Sequence, residues 1–448
     1  MPAAGRCLPI TALSASRVRT LSAGAVGGSR YRPPVVPASR TMPLRRNRDF
    51  VLLETGRLLS TAGTASTTIA YPLLVLAVTH SPAKAGFVTF VRLLPQALFG
   101  LIAGLAADRW NRKRLMIVSD GVRALAIASL AATILGGRLA FWQVVAVGFV
   151  EGTGSVFFGG ASAGALRSVV PARQLPTAVG AQQARASAVR LAGPPLGGAL
   201  FGLGRAVPFL VDAVSYAFSI LSLLAMRTPF QEERELDTSP LRAQVAEGVR
   251  FLWSRPFLRT CALIYGLGNF AMPGLLLVIV VAGTRQGLSG GEVGLLIAVF
   301  GACTLAGSLV SPLFRRWFSI RTIILIELWT WLGTVAFLVR PDVYVLTVTI
   351  LPFGIAAPVT DSVVDGYRVA VTPDRLLGRV ESVRSSIALL IAPLGPLLAG
   401  FLLSSTSLRS TGAVFTACGI VLAIWGTLSP SIRSAPSLAE LDDHHVTG

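Results

Sequence analysis

A chain of 448 residues that is 53% hydrophobic and 14% charged is not a soluble globular protein, in which about a quarter of the residues carry charge. Runs of about 20 apolar residues, the length of helix that crosses a bilayer's hydrocarbon core, recur along it, and their continuity excludes the alternating pattern of a membrane β-barrel. The formal charge of +19 falls in an arginine-rich beginning and in short gaps between apolar runs, which encodes membrane orientation and argues against a nucleic-acid partner.

In chain order, residues 1–45 read as a disordered basic tail, rich in Arg, Ser, Gly and Pro. Nine arginines and no acid precede Asp49. No uninterrupted apolar stretch suits a secretory signal. The composition resembles a transit peptide, but MPLRRNRDF at 42–50 reads as a cytoplasmic lead-in, so Met42 is the expected first residue. Six spans follow, at 50–79, 83–107, 114–136, 140–164, 175–203 and 207–226, forming an N-terminal bundle over 46–228. A linker at 229–255 begins with the polar QEERELDTSP and ends, from Leu241 to Trp253, in amphipathic spacing that predicts a helix on the membrane surface. Six further spans, at 256–282, 290–313, 320–339, 343–369, 376–404 and 410–429, form a C-terminal bundle over 256–430, and 431–448 reads as a second disordered tail.

Bases mark one side of these spans: Arg109 to Arg114, Arg167 with Arg173, the linker, RRWFSIR at 315–321, and Arg368, Arg375 and Arg379. The other gaps hold about one base each (Lys84, Arg138, Arg205, Arg285, Arg340, Arg409), so the positive-inside rule places both termini in the cytoplasm. The halves also repeat. At an offset of 202, VVPARQLP (169–176) falls on VTPDRLLG (371–378), and GPPLGG (193–198) on GPLLAG (395–400). The fold class expected is therefore an all-α membrane protein of twelve transmembrane helices in two pseudo-symmetric six-helix bundles, with a binding site between them near the midplane.

The turn between spans two and three, GLAADRWNRKRLM, concentrates charge in a chain that otherwise avoids it. Its pattern of Gly104, Asp108, Arg109, Arg112, Lys113 and Arg114 resembles the signature of the major facilitator superfamily, with Asn111 where that family usually has Gly; Asn tolerates the left-handed turn. Gly104 would let two helices approach closely, and Asp108 would cap the positive N-terminus of a helix from the other half, which in the resembled family is span eleven. The bases would pair with acids across the cytoplasmic seam, or would only fix topology. In span five, Gly193, Pro194, Gly197 and Gly198 resemble the antiporter motif of drug-exporting facilitators; Gly180 matches one earlier glycine of that motif and Val189 replaces another. Over residues 43–430 the chain resembles the drug:proton antiporter branch that includes macrolide-efflux and enterobactin-exporter-like proteins. That resemblance implies efflux of a small, largely apolar compound driven by proton uptake.

Ionisable residues inside spans are costly and become functional candidates. Glu151 lies about 16 Å along span four, near the midplane, where burial favours a neutral carboxyl that loads and releases a proton. It is the first candidate for coupling. Asp212, Glu54 and Asp361 are placed nearer an interface. Arg92 and Arg190 are candidates to hold the Glu151 carboxylate, and Asp120 with Arg123, three apart on one helical face, form an embedded charge pair. Tyr71, Tyr265, Phe270, Trp329 and Trp331 are candidates to line an apolar cavity, and Trp142 reads as an interfacial anchor.

The four cysteines form no CxxC pair and His80, His444 and His445 form no ligand set with them, so no metal site is expected. No phosphate-cradling GxxxxGK[ST] motif exists for ATP. No cofactor and no enzymatic activity are expected. The expected partners are a small-molecule substrate, protons and the lipid bilayer, for a monomer in a bacterial cell membrane. An importer or lipid-related flippase on the same scaffold, and a non-transporting scaffold or sensor, are the alternatives.

Overall fold

The structure, a computed structural model, describes residues 43–228 and 241–435; the side chains of Asp108, Arg167, Ala172, residues 241–244, Asp374 and Arg375 lie outside the described set. The two tails beyond 43 and 435 and the first part of the linker are likewise outside it. Among the described residues every regular element is a helix.

The first half comprises α1 (Arg48–Thr79), α2 (Pro82–Arg109), α3 (Arg112–Leu135), α4 (Phe141–Val169), α5 (Leu175–Leu203) and α6 (Val207–Ala225). After the linker helix α7 (Leu241–Ser254), the second half comprises α8 (Pro256–Arg285), α9 (Gly290–Trp317), α10 (Ile320–Trp329), α11 (Val335–Val339), α12 (Val343–Val371), α13 (Asp374–Ile391), α14 (Leu394–Ser405), α15 (Leu408–Leu428) and the short α16 (Pro430–Arg433). Predicted span nine is thus split into α10 and α11 by a 3-10 segment, Thr330–Thr334, and span eleven is split into α13 and α14 at Ala392 and Pro393. The repeat has a direct counterpart: α4 and α12 are both 29 residues long, and 141–169 shifted by 202 gives 343–371.

Polar caps start the helices where the apolar runs begin. Asn47 accepts from Phe50 N at the head of α1, Ser81 precedes Pro82 at the head of α2, and Ser289 and Glu292 close a reciprocal capping box on α9. Each satisfies amide donors that have no partner within the first turn. Asn111 does the same for α3, accepting from Arg114 N at φ −62° and ψ 111°. The left-handed turn expected at Asn111 is therefore absent: Asn serves there as a cap. Among the described residues eleven segments are long and apolar enough to cross a membrane. The remaining long helix, α5, has 29 residues but carries Gln182, Gln183, Arg185 and Arg190, which makes it less apolar.

Within the first half α2 packs on α4, α1 on α5 and α6, and α3 on α4 and α6; within the second, α9 packs on α12 and α8 on α14. The halves meet through α5 on α9 and α2 on α14. One side of the molecule, the linker face, carries the connection to α7; the opposite face carries the α1–α2, α3–α4 and α5–α6 turns. Near the opposite face the halves share apolar clusters, with Leu74 and Val75 of α1 joined to Leu277 and Val278 of α8, and Leu73 of α1 to Val280 and Val293. At the linker face each half keeps its own cluster, one built around Phe50, Met116 and Leu166 and the other around Leu252, Ile324 and Val380. Backbone contact is closest on the opposite side. A Cβ built on Gly198 of α5 would lie 1.9 Å from Gly290 O of α9, and one on Gly400 of α14 would lie 2.5 Å from Pro82 O. The Ala83 amide donates to Ser404 Oγ at 2.8 Å. The halves are thus sealed at the opposite face.

The predicted amphipathic helix exists as α7, but its apolar side is covered by protein. Leu252 is buried in the cluster of the second half, Gly248 backs onto the Arg379 carbonyl of α13, and Glu247 pairs with Arg379. The side expected to face lipid therefore packs on α8 and α13.

Candidate functional site

Five helices of the first half bring buried polar side chains together. Arg92 of α2 holds Glu151 of α4 in a two-pronged ion pair, Nε to Oε2 and Nη2 to Oε1, both at 2.9 Å. Such parallel pairing fixes both groups in direction as well as in charge. The same guanidinium reaches α1, donating to Thr68 Oγ1 at 3.2 Å and Thr64 O at 3.3 Å, and it lies 5.0 Å from the centre of the Tyr71 ring. Asp212 of α6, fully buried, accepts on Oδ2 from Thr67 Oγ1 at 3.2 Å and from Tyr216 OH at 3.1 Å. Arg123 of α3 donates to Tyr216 OH at 2.6 Å, to Thr64 Oγ1 at 2.7 Å and to Asp120 at 3.0 Å. The chain of contacts runs Glu151, Arg92, Thr67, Asp212, Tyr216, Arg123, Asp120.

Space for it is cut by two glycines. A Cβ on Gly63 of α1 would sit 2.4 Å from Asp212 Oδ1, and one on Gly154 of α4 would sit 2.5 Å from Arg123 Cγ. Three acids and two bases leave one formal negative charge when all are ionised. Burying uncompensated charge is expensive, so a single added proton makes the network neutral. Glu151 and Asp120 each face a guanidinium; the partners of Asp212 are hydroxyls.

These positions revise the sequence-based assignments. Glu151 is buried and is held by Arg92, but Arg190 does not reach it and donates instead to Ser187 Oγ at 3.4 Å. Asp212, placed near an interface by counting along its helix, lies in the middle of the polar network. Glu54 is also buried, and it binds Arg185 of α5 at 2.7 Å. That pair borders a cavity of about 620 Å³ at the linker face, lined by Leu44, Phe50, Leu58 and Thr177. Arg190 occupies another setting. On α5, Gly193 and Gly197 face Ala65 and Ser66 of α1, whereas Pro194 and Gly198 face Gly294 and Gly290 of α9. At 100° per residue, Arg190 falls on the arc between these two faces, and it is exposed. It therefore lies at the seam where α5 passes from α1 to α9, about 22 Å from the start of α5.

Gly104 makes no close approach: a Cβ there meets nothing within 4 Å. The reason is the separation of the halves at the linker face. Asp108 lies in the last turn of α2, with its side chain outside the described set. Arg112 donates to Ala107 O at 3.0 Å and Lys113 to Met226 O at 2.7 Å, both within the first half, while Arg109 and Arg114 are exposed. The span-five motif is two-sided, with Gly193 and Gly197 on α1 and Pro194 and Gly198 on α9. α5 runs through Pro194 and Pro195 as one helix. Of the proposed cavity aromatics, Tyr71 and Trp331 are buried, Phe270 packs on Phe415, and Trp329 binds Thr427 Oγ1. Trp142 is exposed and packs against Phe141 and Phe87.

Tyr216, Thr64 and Thr67 are network members that chain-order reading misses. The polar run STAGTASTT at 60–68 and the four-residue spacing of Asp212 and Tyr216 were the available signals. Glu327, buried on α10, is also missed, although it stands alone as an acid within an apolar run.

Comparison with known proteins agrees with this architecture. Residues 55–360 match the model of the Major Facilitator Superfamily. The chain is 28% identical over 395 residues to the multidrug efflux pump Tap of Mycolicibacterium fortuitum, covering 85% of this chain and 94% of that protein. It is 24% identical over 359 residues to macrolide efflux protein A of Streptococcus pyogenes, covering 75% and 86%. Its fold is similar to the crystal structure of the nucleoside transporter NupG, with a TM-score of 0.68 at 11% identity over 87% of this chain and 100% of that one. On the family match, the repeat and the paired halves, this chain belongs to the Major Facilitator Superfamily of membrane transporters.

Proposed function

We propose that the protein exports a small, largely apolar compound across a bacterial cell membrane by proton antiport, with Asp212 as the proton carrier of the first half. The observation that carries this reading is the charge balance of the buried network: one proton neutralises it, and Asp212 is the acid whose partners are hydroxyls. Glu151, bound to Arg92, acts as the fixed counter-charge. Similarity to efflux pumps supports export as the direction. The excess of arginine at the linker face supports a cytoplasmic position for that face and for both termini, so the form described opens toward the cytoplasm.

Alternating access links the parts. A proton on Asp212 removes the net charge of the network and alters the hydroxyl bonds that join α6 to Thr67 of α1, and substrate between the halves, near Arg190, exchanges against it. The test uses inverted vesicles from a host stripped of its own pumps, with macrolide accumulation driven by an imposed pH gradient. Asp212→Asn should abolish gradient-driven accumulation while retaining macrolide exchange across the membrane at equal pH. Full gradient-driven accumulation in this variant would remove Asp212 from the mechanism.

A further inference from the structure

The second half holds a buried acid that the network above does not use. Glu327 of α10 is 3% exposed, about 10 Å along its span from the linker face. Its carboxyl accepts from Tyr265 OH of α8 at 3.2 Å, and the Thr360 hydroxyl of α12 lies against it. Thr360 also donates to Ala356 O at 3.2 Å. The polar neighbours of this carboxyl are thus hydroxyls, and a carboxylate buried without a cationic partner is costly to leave charged.

The charged and titratable groups around it point the same way. From α8 come Tyr265 and Cys261, and from α12 comes Asp361; Arg384 of α13 acts on Asp361. From α15, Cys418 borders the same apolar cluster. Among the described residues no arginine or lysine forms an ion pair with Glu327. The contrast with the first half is direct. Asn111 caps α3 and Ser319 caps α10; Asp120 stands nine residues beyond its cap and Glu327 eight beyond its own. Three residues after Asp120 comes Arg123, its ion partner. Three residues after Glu327 comes Thr330, where the α-helix gives way to the 3-10 segment Thr330–Thr334. Such a change inside a span marks a hinge. Half-buried Tyr265 and exposed Asp361 lead outward from Glu327.

We propose that Glu327 is a second protonation site, independent of Asp212, so that each half of the transporter binds one proton. The inference rests on the proton-antiport reading for its role in transport, but proton binding at Glu327 is measurable without transport.

The experiment is infrared difference spectroscopy of the full chain in lipid, comparing neutral and strongly alkaline pH. Wild type should show a carbonyl band from an un-ionised carboxyl that Glu327→Gln removes and Asp212→Asn leaves in place. Tyr265→Phe, which keeps the acid, should move that band without removing it. A Glu327→Gln spectrum superimposable on wild type, or loss of the band in Asp212→Asn, would overturn the proposal. Should Glu327→Gln fail to fold, the Tyr265→Phe shift decides, and an unshifted band counts against it. If the Glu327 band is present but transport ignores the pH gradient, the antiport reading fails while the proton site stands.

Discussion

At the scale of single residues, the Arg92–Glu151 pair carries the clearest energetic consequence. Removing one member of a buried ion pair leaves an uncompensated charge and typically costs about 3–5 kcal/mol, whereas replacing both is far milder. Arg92→Gln alone should therefore lower the detergent-solubilised unfolding temperature sharply, and Arg92→Gln with Glu151→Gln should recover most of that loss. Equal destabilisation in single and double variants would show that the two groups are not coupled. Glu151 and Arg92 were legible because charges in apolar runs are few and conspicuous. The place of Asp212 was not, because position along a helix measures distance from one end, whereas burial depends on which helices pack around it. Hydroxyl partners such as Thr64 and Tyr216 are ordinary residues in a membrane span, so only their convergence on one carboxylate distinguishes them.

At the scale of helices, three glycines with different surroundings separate assembly from motion. Gly63→Ala brings a Cβ to 2.4 Å from Asp212 Oδ1, so it should displace that carboxylate and reduce gradient-driven transport at least tenfold while the protein still inserts; wild-type rates would show that the side chain adapts freely. Gly198→Val would strike the backbone of α9 and should loosen the sealed face, read as increased labelling of cysteines placed on the inner side of α5. Gly104→Val meets nothing in the form described and should leave its stability unchanged, yet it should slow turnover if α2 closes on the second half during the cycle. Unchanged turnover would confine the opening motif to topology. The helices themselves were written plainly in the sequence: caps at Asn47, Ser81 and Ser289 precede apolar runs, and the 202-residue repeat lands on α4 and α12 residue for residue. The breaks at Thr330 and at Pro393 and the covered face of α7 were not, since each depends on neighbours distant in the chain.

At the scale of the whole molecule, two halves with separate cores at the linker face and a shared core at the other are poised to rock about their contact. Nothing in the sequence says which end is shut, because both forms use the same residues. The contact at Ala83 and Ser404 offers a clamp: cysteines at both positions should cross-link under oxidation and stop transport, with recovery on reduction. The most direct test is pulsed electron–electron distance measurement on spin labels at Trp110 and Gly378, across the linker face, and at Arg138 and Gln286, across the opposite face. Raising the proton concentration without substrate should shorten the first distance and lengthen the second in wild type and leave both fixed in Asp212→Asn, in which an added macrolide should still move them. Distances that acidification does not change in wild type, or changes identically in Asp212→Asn, would contradict a proton-coupled rocking transporter.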